Sequence, residues 1–190
     1  MTAKMKPKIT ITGDLGSGKS IVSKILHERL GYEVYSTGKV QREIAARHGM
    51  STLELNQYAQ THPEVDEEID SVFAKLQDHP EGLIVDSRLA WHFMPHSFKV
   101  YLRVPVEIAA GRIMNDPDRK GERYPTMDQA IADILARKKS ENDRFLAKYN
   151  ADCKDMKNFD LIADTEGTPP EVVAERILEA FEAWNKAGGG

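Results

Sequence analysis

The stretch Gly13-Asp14-Leu15-Gly16-Ser17-Gly18-Lys19-Ser20 follows an apolar-alternating run, Lys8-Ile9-Thr10-Ile11-Thr12, and precedes a helical pattern on Ile21, Val22, Ile25 and Leu26. Its spacing is GxxxxGK[ST], and it dictates a strand, a glycine loop and a helix in immediate succession. The glycines let the backbone wrap so that several N–H groups face inward as an anion nest. The helix that opens at Lys19 adds the positive end of its dipole. Lys19 can then reach terminal phosphates, and the Ser20 hydroxyl can hold the Mg²⁺ that travels with them. A chance glycine turn is the alternative, and the strand and helix on either side speak against it. The eight residues from Gly13 to Ser20 therefore predict a site for a nucleoside triphosphate.

A chain of 190 residues is expected to form one domain with a substantial core. The net charge of −4 argues against a general nucleic-acid or membrane-surface binder, so phosphate affinity must come from local basic clusters. No apolar run approaches the roughly 20 residues needed to span a bilayer. Met1 to Lys6 is basic without an apolar region after it, and the single cysteine, Cys153, cannot form an internal disulfide. Both features predict a cytoplasmic protein. Gly188 to Gly190 reads as a loose end.

Five segments read as buried strands: Lys8–Thr12, Glu33–Tyr35, Leu83–Asp86, Lys99–Leu102 and Asp160–Ala163. Helical patterns between them predict an α/β fold, a parallel five-stranded sheet with helices on both faces. Gly31 is placed to end the first helix. Thr168-Pro169-Pro170-Glu171 reads as the capping box of the last helix. About 47 residues separate the second and third strands, far more than a crossover requires. They hold three helical patterns: Gly38 to His48, one opened by the capping box Ser51-x-x-Glu54, and one from Pro63. Such an insertion would sit over the carboxyl ends of the strands, where open α/β sheets bind ligands. A second insertion, Asn115 to Tyr124, is short and charged, and a long helix follows, capped by Thr126 and running towards Lys148.

Arginines gather at these strand ends and insertions: Arg42, Arg88, Arg119 and Arg123 with Lys120 between them, and Arg137 and Arg144 two turns apart on the long helix. Any one of them alone reads as a solvated surface residue. Together around a phosphate loop they suit phosphoryl transfer, where cationic clamps on the moving group supply most of the acceleration. Two phosphorylated substrates would need this many positive charges. Asp86 ends the apolar run Leu83-Ile84-Val85, where a second metal-holding carboxylate would stand opposite Ser20. The other reading of Asp86 is a helix cap. Asp66 and Asp70 lie one turn apart in an acidic run, either as a solvated face or as cleft carboxylates able to accept from an exocyclic amino group. His92 and His96 are four apart, but Pro95 interrupts them and they read as structural.

From Ile9 to about Ile177 the chain resembles the cytidylate kinases, particularly the compact archaeal type. The resemblance rests on the phosphate loop, Ser36-Thr37-Gly38 with Arg42-Glu43, and Pro63-Glu64-Val65-Asp66 with Asp70. It continues in Ser87-Arg88-Leu89-Ala90, Val104-Pro105-Val106-Glu107 with Arg112, Arg137-x-x-Ser140-Glu141-x-x-Arg144, and Phe159-Asp160-Leu161-Ile162. It implies a P-loop kinase domain with a core at 7–37, 81–114 and 126–186, an acceptor-binding insertion at 38–80 and a lid at 115–125. MgATP is the implied donor and CMP or dCMP the implied acceptor, with neither nucleic acid nor membrane as a partner and a monomer expected. Carried over, Lys19 and the loop hold the donor phosphates with Arg119 and Arg123, and Arg42 and Arg88 resemble the grip on the acceptor phosphate. Arg137 and Arg144 resemble the bridge between donor and acceptor, so that Lys19, Arg88, Arg137 and Arg144 are the implied catalytic set. Ser36, Asp66 and Asp70 stand where base or sugar is read, and Ser20 and Asp86 serve the metal.

The chain departs from the family pattern in four places, one of them a lid segment that is longer and more charged than is usual. Asp14 puts a carboxylate where a small residue or proline is usual, and it should repel a triphosphate unless it points outward. Ile21 replaces a second hydroxyl, and Lys138-Lys139 replaces residues that are usually acidic. A kinase for another small phosphorylated acceptor, or an ATP-dependent sensor without catalysis, remain alternatives. The paired arginines favour catalysis.

Overall fold

A computed structural model describes residues 6–117, 119 and 123–189. Met1 to Met5, Lys120 and Gly190, which enter the expectations above, lie outside the described residues, as does part of the 115–125 segment.

Alternating Ile and Thr builds the central strand, β1 (Ile9–Gly13). Ile9 and Ile11 face one core, while Thr10 and Thr12 are also buried on the other side. Their hydroxyls are satisfied there: Thr10 meets Ser97 Oγ at 3.1 Å and Thr12 donates to the Ser87 carbonyl at 2.9 Å. Alternation here reports two buried faces of different chemistry rather than one wet face. The other strands are β2 (Glu33–Ser36), β3 (Leu83–Asp86), β4 (Phe98–Arg103) and β5 (Leu161–Asp164). β3 matches its expected bounds and the others differ by one residue at one or both ends, but the edge strands β2 and β5 are largely exposed or half-buried rather than buried, because each has a neighbour on one side only. All pairings are parallel, in the order β2-β3-β1-β4-β5.

Helix α1 (Lys19–Leu30) ends at Gly31, whose φ of 68° takes the left-handed turn expected of it. With α8 (Pro170–Lys186) it covers one face of the sheet through Val22, Leu26, Val173, Ile177 and Phe181. The long segment between β2 and β3 holds α2 (Thr37–Arg47), α3 (Thr52–Tyr58) and α4 (Pro63–Gln77), packed with Leu83 and Val85 on the opposite face. The Ser51–Glu54 capping box forms with both of its hydrogen bonds. A short helix not foreseen from the sequence, α5 (Ala90–Phe93), follows β3, and His92 lies there against Trp91, Phe93 and Tyr149. After β4 come α6 (Val106–Met114) and α7 (Met127–Tyr149), the latter capped by Thr126 as expected. The capping box at Thr168 does not form. Pro169 is the cap, and the Thr168 hydroxyl donates back to the Glu166 carbonyl. Near the end of the described residues the Gly189 N–H donates to the Trp184 carbonyl at 3.0 Å. Among the described residues no helix is long and apolar enough to cross a membrane.

Successive strands fill the sheet first on one side of β1 and then on the other. The crevice where strand order reverses therefore opens at the carboxyl end of β1, where the glycine loop begins.

Candidate active site

The loop from Gly13 to Ser20 is shaped by its neighbours as much as by its own glycines. Gly13 has φ 150°, and a Cβ there would lie 2.2 Å from the Leu102 carbonyl oxygen of β4. Gly16 has φ 71°, and a Cβ would come within 2.9 Å of the Ala109 Cα of α6. Any side chain at either place would push the loop off the sheet. Leu15 anchors the outer side of the loop in a cluster with Ala110, Ile113, Ala130 and Ile134. Arg112 ties the tip, donating to the Gly16 carbonyl at 3.1 Å and to the Thr165 carbonyl beyond β5 at 2.7 Å. The first turn of α1 contains no acidic residue, so its positive end faces the loop uncompensated.

Lys19 Nζ donates to the carbonyls of Gly13 and Asp14 at 3.1 and 2.8 Å. Burial pushes its ammonium down to about 8; Asp86 and Asp14 oppose the shift, and Arg88 and Arg119 add to it. Asp86 lies buried at the end of β3 and accepts from Ser36 Oγ at 3.4 Å. Burial raises its carboxyl above the ordinary value against the opposing charges of Lys19, Arg88 and Arg42 and the Ser36 bond.

A cleft of about 770 Å³ runs from this loop across to the helical insertion. Leu15 through Ser20 line one end, together with Arg112 and Arg119, and Arg119 pairs with Asp116 at 3.2 Å. Ser36, Arg42, Asp66, Asp70, Asp86, Arg88 and Arg137 line the rest. Arg42 is exposed on α2, facing this space.

Two positions expected at the phosphates lie elsewhere in this conformation. Arg123 lines a separate recess of about 170 Å³ with Ser51, Tyr124 and Asp133, which Leu15 and Arg137 also touch. Arg144 is turned towards the insertion: it donates to the Asn56 carbonyl at 3.0 Å and to Asn56 Oδ1 at 3.3 Å, and its Nε lies 3.3 Å from Asp66. Asp14 gives the loop its backbone, while its carboxylate points out behind the loop, as compatibility with a triphosphate requires.

Glu141 organises the arginines. It is 1% exposed and lies 2.6 Å from Arg88 and 3.0 Å from Arg137, and it accepts from Asn56 Nδ2 at 3.1 Å. Burial pushes the Glu141 carboxyl up, but Arg88, Arg137 and Arg144 override it and hold the group below its usual range. Asp66 is similarly committed to Arg144 and, at 3.7 Å, Lys148. Asp70 accepts from the Tyr149 hydroxyl, and burial raises its carboxyl although that bond opposes the shift.

A family model described as an AAA domain matches residues 9–130. The cytidylate kinase of Sulfolobus acidocaldarius is 36% identical over 180 residues, covering 94% of this chain and 96% of its own. That of Sulfurisphaera tokodaii is 35% identical over 175 residues, covering 91% and 93%. The chain belongs to the cytidylate kinase family. A protein of Lacinutrix mariniflava named S-adenosylmethionine-dependent nucleotide dehydratase is also 35% identical, over 182 residues and 95% of this chain, which spans 37% of that protein's length. Among solved structures, shikimate kinase from Acinetobacter baumannii in complex with shikimate shares the fold, with a TM-score of 0.58, 20% identity and 95% of each chain covered.

For a nucleoside monophosphate kinase, the side chains missed by sequence reasoning are mostly the partners that aim the arginines. Glu141 and Arg112 stood inside recognised motifs without a role, the first four residues from Arg137 and the second in the last turn of α6. Asn56 and Tyr149 carried no local signal, because their partners lie 85 and 79 residues away in sequence.

Proposed function

We propose that this nucleoside monophosphate kinase transfers the γ-phosphoryl group of ATP, carried with Mg²⁺, to CMP or dCMP. The observation that carries the reading is the single cleft, with the phosphate loop and Lys19 at one end and Arg42, Arg88 and the Asp66–Asp70 turn at the other. In this reading Lys19, the loop amides and Arg119 hold the donor. Arg42 and Arg88 grip the acceptor phosphate, and Arg137 reaches between the two. Phosphoryl transfer asks for this arrangement, since its catalysis is positioning plus electrostatic stabilisation. The insertion 38–80 is then the acceptor-binding part of a core at 7–37, 81–114 and 126–186, and 115–125 is the lid.

The residues present fit Mg²⁺. The ion takes hard oxygen donors and is held through one or two carboxylates plus substrate phosphates rather than by a protein cage. Asp86 supplies a buried carboxylate and Ser20 a hydroxyl, and among the described residues no cluster of three metal-ligating side chains competes with them. When bound it would neutralise charge on the transferring phosphates.

Base choice falls to Asp70 more than Asp66, which is already matched by Arg144 and Lys148. With Tyr149 donating to one of its oxygens, the Asp70 carboxylate suits the amino group of cytosine and opposes the carbonyl oxygen that uracil presents there. A coupled ADP-release assay across CMP, dCMP, UMP, AMP and GMP tests this. The cytosine nucleotides should have the highest kcat/KM, and Asp70→Asn should narrow the CMP/UMP ratio by about tenfold or more, the value of a hydrogen bond to a charged group. Equal use of CMP and UMP by the wild type would contradict this assignment. Preference for a different small phosphorylated acceptor would replace CMP as the substrate.

A further inference from the structure

Two charged residues that take no part in lining the cleft meet behind the phosphate loop. Asp14 Oδ1 accepts from the Tyr101 hydroxyl at 2.8 Å and from Lys138 Nζ at 2.5 Å, and Oδ2 accepts from the Val104 N–H at 3.1 Å. Its side chain is 11% exposed, that of Lys138 41%. Burial would push the Asp14 carboxyl up, but Lys138, the Val104 N–H and Tyr101 outweigh it and keep the group below its usual range. The carbonyl of the same residue accepts from Lys19 Nζ at 2.8 Å. Asp14 is thus joined through its backbone to the cation of the donor site and through its side chain to α7. Lys138 directly follows Arg137 and stands one turn before Glu141, which holds Arg88. A carboxylate in the loop is tolerable when a cation from α7 takes it.

We propose that Asp14 and Lys138 act as one positioning pair, fastening the phosphate loop to the helix that carries Arg137 and so setting the gap across which the phosphoryl group moves. The inference rests on the kinase reading above. A misplacement of about 1 Å between donor and clamp can cost up to about a hundredfold in rate without touching a substrate contact. The test compares Lys138→Met, Lys138→Arg, Asp14→Asn and the Asp14→Asn/Lys138→Met double variant, with kcat on CMP, ATP Kd by direct titration and Tm for each. Lys138→Met should lose about tenfold in kcat while ATP Kd moves by less than about threefold, and Lys138→Arg should keep more than about half the wild-type kcat. The double variant should lose no more than the worse single one, as expected of groups acting as a unit. A kcat for Lys138→Met within about twofold of wild type, or losses that multiply in the double variant, would overturn the pairing. Should Asp14→Asn fail to fold, the two Lys138 variants decide the matter. A wild type that phosphorylates no nucleoside monophosphate would overturn the kinase reading and the pairing together, whereas multiplying losses in an active enzyme overturn the pairing alone.

Discussion

The two ends of the cleft are held by different forces. At the donor end the loop is fixed by backbone and packing: glycines where β4 and α6 leave no room for a Cβ, Leu15 in an apolar cluster, and Arg112 and Lys19 on loop carbonyls. At the opposite end, the proposed acceptor site, the walls come from α2, α4 and α7, and long charged side chains hold them together. Glu141 lies between Arg88 and Arg137, and Asp66 lies beside Arg144. A backbone-built site is stiff and present before its ligand arrives. One built from buried ion pairs depends on every partner, since removing one leaves the other charged and unpaired. The contrast suits the proposed reading, in which the donor phosphates always have the same shape while the other end must recognise a base.

The most severe challenge to this contrast is Glu141→Ala. Two arginines would lose their shared carboxylate, and stability should fall by about 3–5 kcal/mol, read as a lower urea midpoint. A change below about 1 kcal/mol, the range of an exposed pair, would mean that the acceptor end does not depend on this network. Lys19→Ala works in the opposite sense. Turnover should fall by about 10²–10³ in kcat, equivalent to about 2.7–4 kcal/mol, while the urea midpoint, which loses only two part-buried bonds to loop carbonyls, falls far less than in Glu141→Ala. Full activity in that variant would remove the donor assignment.

The pH dependence of ATP binding sharpens the donor side. The Lys19 ammonium, held at about 8 with no phosphate beside it, is charged below that pH and neutral above it. A bound triphosphate favours the charged form, so above pH 8 binding must take up a proton. ATP affinity should therefore weaken as pH rises through 8, approaching about tenfold per pH unit, and Lys19→Arg should flatten the profile. A titration that stays flat from pH 7 to 9 in the wild type would show that the lysine is not depressed.

The same division explains what could be read in the sequence. The donor end is a local device: eight consecutive residues between a strand and a helix predicted it, and Gly31 and the Ser51–Glu54 box marked helix ends where they form. The inner strands were legible because buried strands are short apolar runs, whereas the edge strands β2 and β5 lie where expected without being buried. The acceptor end was legible only as a list of arginines. Which arginine faces the cleft depends on partners brought together by α7, so Arg144 turns to Asn56 and Asp66, and Arg123 to a separate recess. The direction of the Asp14 carboxylate was equally hidden, because Tyr101, Val104 and Lys138 lie 87 to 124 residues further along. Thr168 shows the reverse error, a local motif overridden by a proline that caps the helix from the next position.

The claim that donor and acceptor occupy distinct ends of one cleft is tested most directly by titrating ATP and CMP separately into Arg42→Ala. Arg42 is exposed in the cleft on α2, away from every contact that holds the loop. CMP affinity should fall by about 1.5–3 kcal/mol, the value of a charge-assisted contact, while ATP affinity stays at its wild-type value. Loss of ATP affinity with CMP affinity preserved would place the acceptor site elsewhere and contradict the two-ended cleft.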